Sequence, residues 1–235
     1  MHKLIINADD FGLSEAVNRG VARARDAGML TSASMLANGP AFEHAVSIAL
    51  AHPGLGVGVH LNLLRGRPVA DPAVVRPLLD DRGCFHLDVV ELGRRIRFPD
   101  TLIAAEAEYR AQIEKVCDAG LTPTHLDSEK HHAVWGRLDR LAGRLARAYG
   151  IPAMRNLREP VAFALRCLPW PGIRPALRAC LLRSLVTFTG RDASTPRPDH
   201  FFGQTHIGAM TGPAWQALLA HLPEGLSEVM VHPGE

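Results

Sequence analysis

Residues 3–17 read KLIINADDFGLSEAV. A short β-branched run, Lys3–Ala8, meets two adjacent carboxylates, Asp9 and Asp10. A glycine follows, and then Ser14 stands before apolar positions at Ala16, Val17, Val21 and Ala24. That spacing is helical, Ser is a favoured N-cap, and Gly28 is placed to end a helix over Ser14–Gly28. The stretch is one strand–loop–helix unit with two like charges at the strand's end. Adjacent carboxylates repel unless a cation lies between them or one is protonated.

The same unit recurs along the chain. Extended segments are expected at Thr31–Ala37, Leu55–Leu63, Pro123–Ser128, Pro152–Asn156, His200–Ile207 and Ser227–His232. Helices are expected between them at Phe42–Ala51, Thr101–Ala119, Arg137–Tyr149 and Pro213–His221. Repeated strand–helix units imply a parallel sheet. About seven of them in 235 residues, without a domain-sized linker, predict a single α/β domain over 1–235. The architecture expected is an irregular (β/α) TIM-like barrel of about seven parallel strands, preferred over an open doubly wound sheet. No GxGxxG or GxxxxGK[ST] supports nucleotide binding. Insertions near 65–100 and 160–197 break the rhythm and are the places for substrate-shaping segments.

Composition narrows the function classes. Hydrophobic residues are 47%, charged residues 21% and the formal net charge +2, as in a soluble globular protein with no basic run for nucleic acid. The basic character is local: residues 155–191 hold seven Arg, one Glu and no Asp. The apolar, Arg-rich part of this stretch suits either a peripheral membrane contact or a barrel-covering helix with solvated Arg, and the second is preferred. The four cysteines form no CxxC pair and are read as reduced thiols of a cytoplasmic protein. No leader-like segment opens the chain, and no run approaches the roughly 20 apolar residues of a membrane span. Oligomeric state has no signature here; a homodimer is compatible with the sequence.

The out-of-place polar residues share one location. Asp9 and Asp10 close the first strand, His60 the third, His125 and Asp127 sit in the fourth, and His232 closes the last. In a barrel the C-terminal strand ends converge on the face that carries active sites. Any one of these residues alone reads as a turn, cap or structural residue; together they read as a metal site. One Asp and two neutral His make a facial set for a divalent ion, the other Asp can act as base, and a further His can protonate a leaving amine.

These residues carry a family resemblance. NADDFG with Asn18, LTSASMLANGPAF, GVHLNL, THLDSEKH, DHFFG and EVMVHPG together resemble the YdjC-like carbohydrate deacetylases, which include chitooligosaccharide and hopanoid-biosynthesis-associated deacetylases. More distantly the chain is similar to the NodB-type polysaccharide deacetylases. The resemblance implies a (β/α) barrel that removes N-acetyl groups from an amino sugar, in an oligosaccharide or glycolipid, with a divalent metal, Mg²⁺ or Zn²⁺. It implies Asp9 as general base, Asp10, His60 and His125 as metal ligands, and His232 as the acid. Arg155 is implied to pair with a carboxylate near the metal or in a surface salt bridge. Asp199 is implied to hold His232, touch the sugar or serve a turn. Asp127, Glu129 and His131 are placed around the substrate or behind the ligands, and neither Glu129 nor His131 is assigned to the metal. Many members have a second His where this chain has Glu129, and many carry H-x-H where it has His131, His132 and Ala133. Relatives commonly continue beyond VHPG, so a closing element past Glu235 is expected if this chain does too. An N-acetylglucosaminyl hopanoid is the more specific substrate reading. A metal-dependent phosphoesterase, or a non-enzymatic sugar- or metal-binding protein, are the competing classes. Against the phosphoesterase, no Lys/Arg cluster is expected beside the Asp pair or His60.

Overall fold

The computed structural model describes residues 1–160, 192–204 and 210–234. Most of the Arg-rich stretch and the end of the expected His200–Ile207 segment lie outside them. In chain order the elements are β1 (His2–Phe11), α1 (Glu15–Asp26), β2 (Ser32–Met35), α2 (Phe42–Ala51) and β3 (Gly56–Leu61). They continue with α3 (Val89–Arg95), α4 (Pro99–Asp118), β4 (Leu126–Ser128), α5 (Gly136–Ala148) and β5 (His200–Phe202). A last helix, α6 (Gly212–Ala220), precedes β6 (Gly225–Val231). The helix α3, capped by Asp88 on the N–H of Glu91, is the element that the expected 65–100 insertion concealed.

The opening unit forms as its residues dictate. Ser14 Oγ accepts from Val17 N at 3.2 Å and caps α1. Gly12, at φ 97°, takes a left-handed turn that Cβ-bearing residues avoid. Its N–H is held by Asn18 Oδ1 at 2.7 Å, which pins the acid-bearing loop onto the helix it precedes.

The strands lie in the order β4-β3-β2-β1-β6-β5, every neighbouring pair parallel. The sheet is curled into a barrel, and one side chain proves it. Arg155 bonds Asp127 of β4 at 2.7 Å and Glu228 of β6 at 2.8 Å. In a flat sheet those strands, four spacings apart, would be separated by roughly 19 Å. Past β4 the edge is carried onward by a parallel bridge between Leu126 and Met154, where an extended segment was expected at Pro152–Asn156. Met154 N then donates to Pro196 O, and Asn156 Nδ2 to Pro198 O, just ahead of β5.

Along each strand one parity faces the barrel interior. That set is Ile5, Asn7 and Asp9; Ser32 and Ser34; Gly58 and His60; His125 and Asp127; Arg155; Glu228. The other parity packs against the helices, for example Val57, Val59 and Leu126 in the continuous core with Tyr109, Ile113, Leu141 and Leu145. Gly58 is a glycine for a steric reason: a Cβ there would lie 2.4 Å from the His125 ring. Among the described residues no helix is long and apolar enough to cross a membrane.

Candidate functional site

Two adjacent residues on a strand should face opposite sides of the sheet. The β1–β2 register shifts between Ala8 and Phe11, and Asp10 sits at φ 66°. This irregularity turns Asp10 toward the same end of the barrel as Asp9, as bulges beside active sites do. Lys130 and His131, at φ 47° and 56°, form a second left-handed turn directly after β4. Among the described residues these three are the non-glycine positions with positive φ, and all flank one cluster. Backbone of this kind costs of order 1–3 kcal/mol per residue and concentrates where function requires it.

The cluster is Asp10, His60 and Glu129, whose ligand atoms lie within 4.8 Å of one another. His60 Nε2 stands 3.2 Å from Glu129 Oε2 and 4.0 Å from Asp10 Oδ1. His60 Nδ1 is 2.8 Å from Asp127 Oδ1. Asp127 thereby anchors one ring nitrogen and aims the other at the two carboxylates, which is how a ligating His is oriented. Burial lowers the His60 pKa, but Asp127, Glu129 and Asp9 outweigh it and hold the imidazole charged well above its ordinary range. Burial raises Asp10, which stays above the usual carboxylate value despite His60 and Arg65. Glu129 is pulled down to about 2, because His60 and Arg65 overcome its burial.

A second group, Asp9, His60 and Asp127, also has ligand spacing, but a cation already serves it. Arg155 grips Asp9 through two bonds, at 2.6 and 2.7 Å, besides its bonds to Asp127 and Glu228. Its side chain is 1% exposed and lies over the Phe201 ring. Burial raises the Asp9 carboxyl, and the Arg155 guanidinium more than reverses that, leaving it below the ordinary value. Glu228 is the least compensated of the three: burial prevails over Arg155 and pushes it up to about 7. A carboxyl with a raised folded pKa binds more protons folded than unfolded, so its contribution to stability is lost as pH climbs from about 4.5 to about 7. Glu228→Gln removes this titration and keeps an acceptor for Arg155. Between pH 5 and 8, wild type is expected to lose on the order of 2 kcal/mol more unfolding free energy than the variant, read from urea melts. Parallel pH profiles would refute it.

The remaining expectations fare differently. His125 does not join Asp10 and His60. It stands just ahead of β4, in line with the inward side chain of Asp127 but two residues, roughly 7 Å, deeper toward the N-terminal end of the barrel. There its ring bonds Ser34 Oγ at 3.1 Å and Thr124 Oγ1 at 2.9 Å. Ser34 in turn donates to Asp127 at 2.9 Å, so His125 supports the cluster from beneath. For Asp199 the geometry favours the turn alternative: its carboxylate accepts from Leu226 N at 2.8 Å, at the start of β6. His200 pairs with Ser227, five residues or roughly 16 Å of strand before His232, so Asp199 is a turn residue and does not reach it. Arg155 is a buried clamp on Asp9, not a surface pair.

His232 follows the β6 register alongside Asp9, since Val231 pairs with Ala8. Its side chain is exposed, in a groove lined by Ala24, Met29, Met210 and Trp215, and no bond joins it to Asp9, Asp10 or His60 among the described residues. His131 is buried edge-on to Phe201 with Nδ1 unpartnered. Burial and then Arg155 hold it neutral, at about 3. Arg155 beside Asp9 matches one of its two implied roles, whereas Arg65, whose Nη2 lies 2.5 Å from Asp10 Oδ1 and 3.0 Å from Glu129 Oε2, adds a second cation where no Lys/Arg cluster was expected. Arg65 comes from a loop 55 residues from Asp10, so local context did not reveal it. Glu129 did carry a signal: it continues the inward parity of His125 and Asp127 to the C-terminal end of the strand.

The sequence model of the YdjC-like protein family matches residues 3–235. A Geobacillus stearothermophilus protein named carbohydrate deacetylase is 34% identical over 235 residues, covering 97% of this chain and 78% of that protein. Proteins of the same name from Halalkalibacterium halodurans and Brevibacillus brevis are 39% and 41% identical, over 67% and 64% of this chain. Those alignments span 65% and 58% of the relatives' own lengths, less than two thirds. A crystal structure from Enterococcus faecalis V583, provisionally described as a cellobiose-phosphate cleavage protein, superposes with a TM-score of 0.79 at 28% identity. It covers 100% of this chain and 82% of that one.

Proposed function

The chain belongs to the YdjC-like protein family, and on that premise we propose that it is a metal-dependent carbohydrate deacetylase acting on the N-acetyl group of an amino sugar. The observation that carries the reading is the Asp10–His60–Glu129 cluster beside the Arg155-clamped Asp9, at the C-terminal ends of barrel strands. The relatives named carbohydrate deacetylase support the substrate class.

Two carboxylates and an imidazole anchored through its far nitrogen are a donor set that fits a divalent cation. Asp10, His60 and Glu129 would hold it, Glu129 taking the place first expected for His125. Such an ion, when bound, polarises an amide carbonyl and makes water a stronger nucleophile at neutral pH. The carboxylate-rich set suits Mg²⁺, and Zn²⁺ also accepts these ligands. Asp9 accepts the proton of the attacking water, with Arg155 fixing the orientation of its carboxylate. His232, level with Asp9 on the neighbouring strand, donates the proton that lets the amine leave. The products are acetate and the free amino sugar. Arg155 is saturated by three carboxylates and is not available to a phosphate.

Acetate release is measured from a panel of N-acetylated oligosaccharides and an N-acetylglucosaminyl glycolipid, with chelator-treated protein as control and a sugar phosphate as competitor. Metal-dependent acetate from at least one acetylated substrate is the expected result; none from any, or phosphate release instead, overturns the reading. Asp9→Asn should lower turnover about 10²–10⁴-fold, the usual worth of a general base, and leave metal content unchanged. Near-native turnover in metal-replete Asp9→Asn would remove Asp9 from the base role.

A further inference from the structure

The position of Arg65 carries a second conclusion, which rests on the reading that Asp10, His60 and Glu129 hold the ion. We propose that Arg65 is a resident counter-cation that competes with the divalent ion: the guanidinium and the ion use the same two carboxylate oxygens, and metal binding requires Arg65 to swing out to the mouth of the barrel.

The atoms coincide. Arg65 Nη2 lies 2.5 Å from Asp10 Oδ1 and 3.0 Å from Glu129 Oε2. Those are the oxygens that face His60 Nε2, at 4.0 and 3.2 Å. An ion held by these oxygens sits about 2.0–2.2 Å from each and leaves no room for a nitrogen bridging both. The charges point the same way. Two carboxylates neutralise a divalent ion in full and leave no charge for the guanidinium to balance. Arginine does not lose its proton, so it yields the site by moving and not by neutralising.

The surroundings permit that motion and confine it to the side chain. Arg65 is 35% exposed at its side chain, against 1% for Arg155. Its Nε is buried without a partner, so its hold on the site is incomplete. Its backbone is fixed. Asn62 Oδ1 accepts from Arg65 N, and the Asn38 and Asn62 side-chain amides both donate to Arg65 O at 2.9 Å. Displacement is therefore a rotamer change about a pinned Cα. The same contact keeps Asp10 and Glu129 from standing as unpaired neighbouring charges when no ion is bound.

The test uses Arg65→Gln, stripped of metal with chelator and titrated with Mn²⁺ and with Zn²⁺ by calorimetry beside wild type and His60→Ala. Removing the competing charge-assisted bonds should tighten binding about tenfold or more. The metal-free variant should also melt lower than metal-free wild type, so the rise in Tm on adding metal is larger. Arg65→Lys, which keeps the charge but not the fork, should bind with an affinity between the two and stands in if the Gln variant does not fold. Affinity in Arg65→Gln equal to or weaker than wild type, while His60→Ala loses binding, overturns the role of Arg65 alone. Absence of binding in folded wild type overturns the metal reading together with it.

Discussion

His60→Ala is expected to lose the divalent ion: affinity falls by more than about 100-fold, because altering a group that merely orients a ligand already costs about 10–100-fold. Asp127→Asn, which leaves the ligand in place but disturbs the partner of its Nδ1, should fall within that smaller range. Calorimetric titration or metal analysis after dialysis reads both. The pH dependence is specific to this site. Without metal, His60 is held charged by Asp127, Glu129 and Asp9, so an ion must displace its proton. Affinity in wild type should therefore rise about tenfold per pH unit wherever His60 remains protonated. His60→Ala retaining wild-type affinity, or wild type binding metal equally at pH 6 and 8, would exclude His60 from the ligand set.

Arg155→Met is expected to have the largest effect on stability. Arg155 stands against Asp9, Asp127 and Glu228, all buried. Removing one partner of a buried ion pair costs about 3–5 kcal/mol, because the charge left behind is neither paired nor hydrated. Here three carboxylates lose the same cation, and a typical domain has only about 5–15 kcal/mol of stability in all. The variant should be largely unfolded at neutral pH. Arg155→Lys should rescue little, since an ammonium cannot grip Asp9 twice while bonding the other two. The sign of the pH response separates this from a packing defect. Without the guanidinium, burial raises the carboxyl pKa values above their unfolded values, and stability is then lost as pH rises through that interval. The variant should recover structure, by circular dichroism, on going from pH 7 to pH 5. A variant equally unfolded at both, or stable at both, would contradict the account.

Much of the architecture was legible locally. β1, α1 with its cap at Ser14, α2 over Phe42–Ala51, and α5 beginning beside Arg137 follow from periodicity and capping, interactions within a turn or two of each residue. The α3 helix was hidden because seven residues flanked by Pro- and Gly-rich sequence carry too little period to read. The expected Pro152–Asn156 strand survives only as the Met154 bridge, since its pairing depends on Pro196 and Leu126, distant in the chain. For the site, the convergence of Asp9, Asp10 and His60 follows from parallel strands whose ends meet. His125 was misplaced because a His in a strand was weighed without asking how deep in the barrel it lies. Counting by twos from Asp127 would have put Glu129 at the active end.

By itself the sequence determined a parallel strand–helix repeat, the end of the barrel that bears the acids and the imidazole, and the family to which they belong. These depend on alternation, capping and residue type, which are local. The tertiary structure alone decided which charges neutralise which. The bulge at Asp9 and Asp10 lets both neighbours face one end, so that Arg155 takes the first and Arg65, with His60 and Glu129, surrounds the second. Those partners stand 50 to 146 residues away along the chain. Only closure of the barrel brings them within hydrogen-bond distance, where burial makes each pairing count.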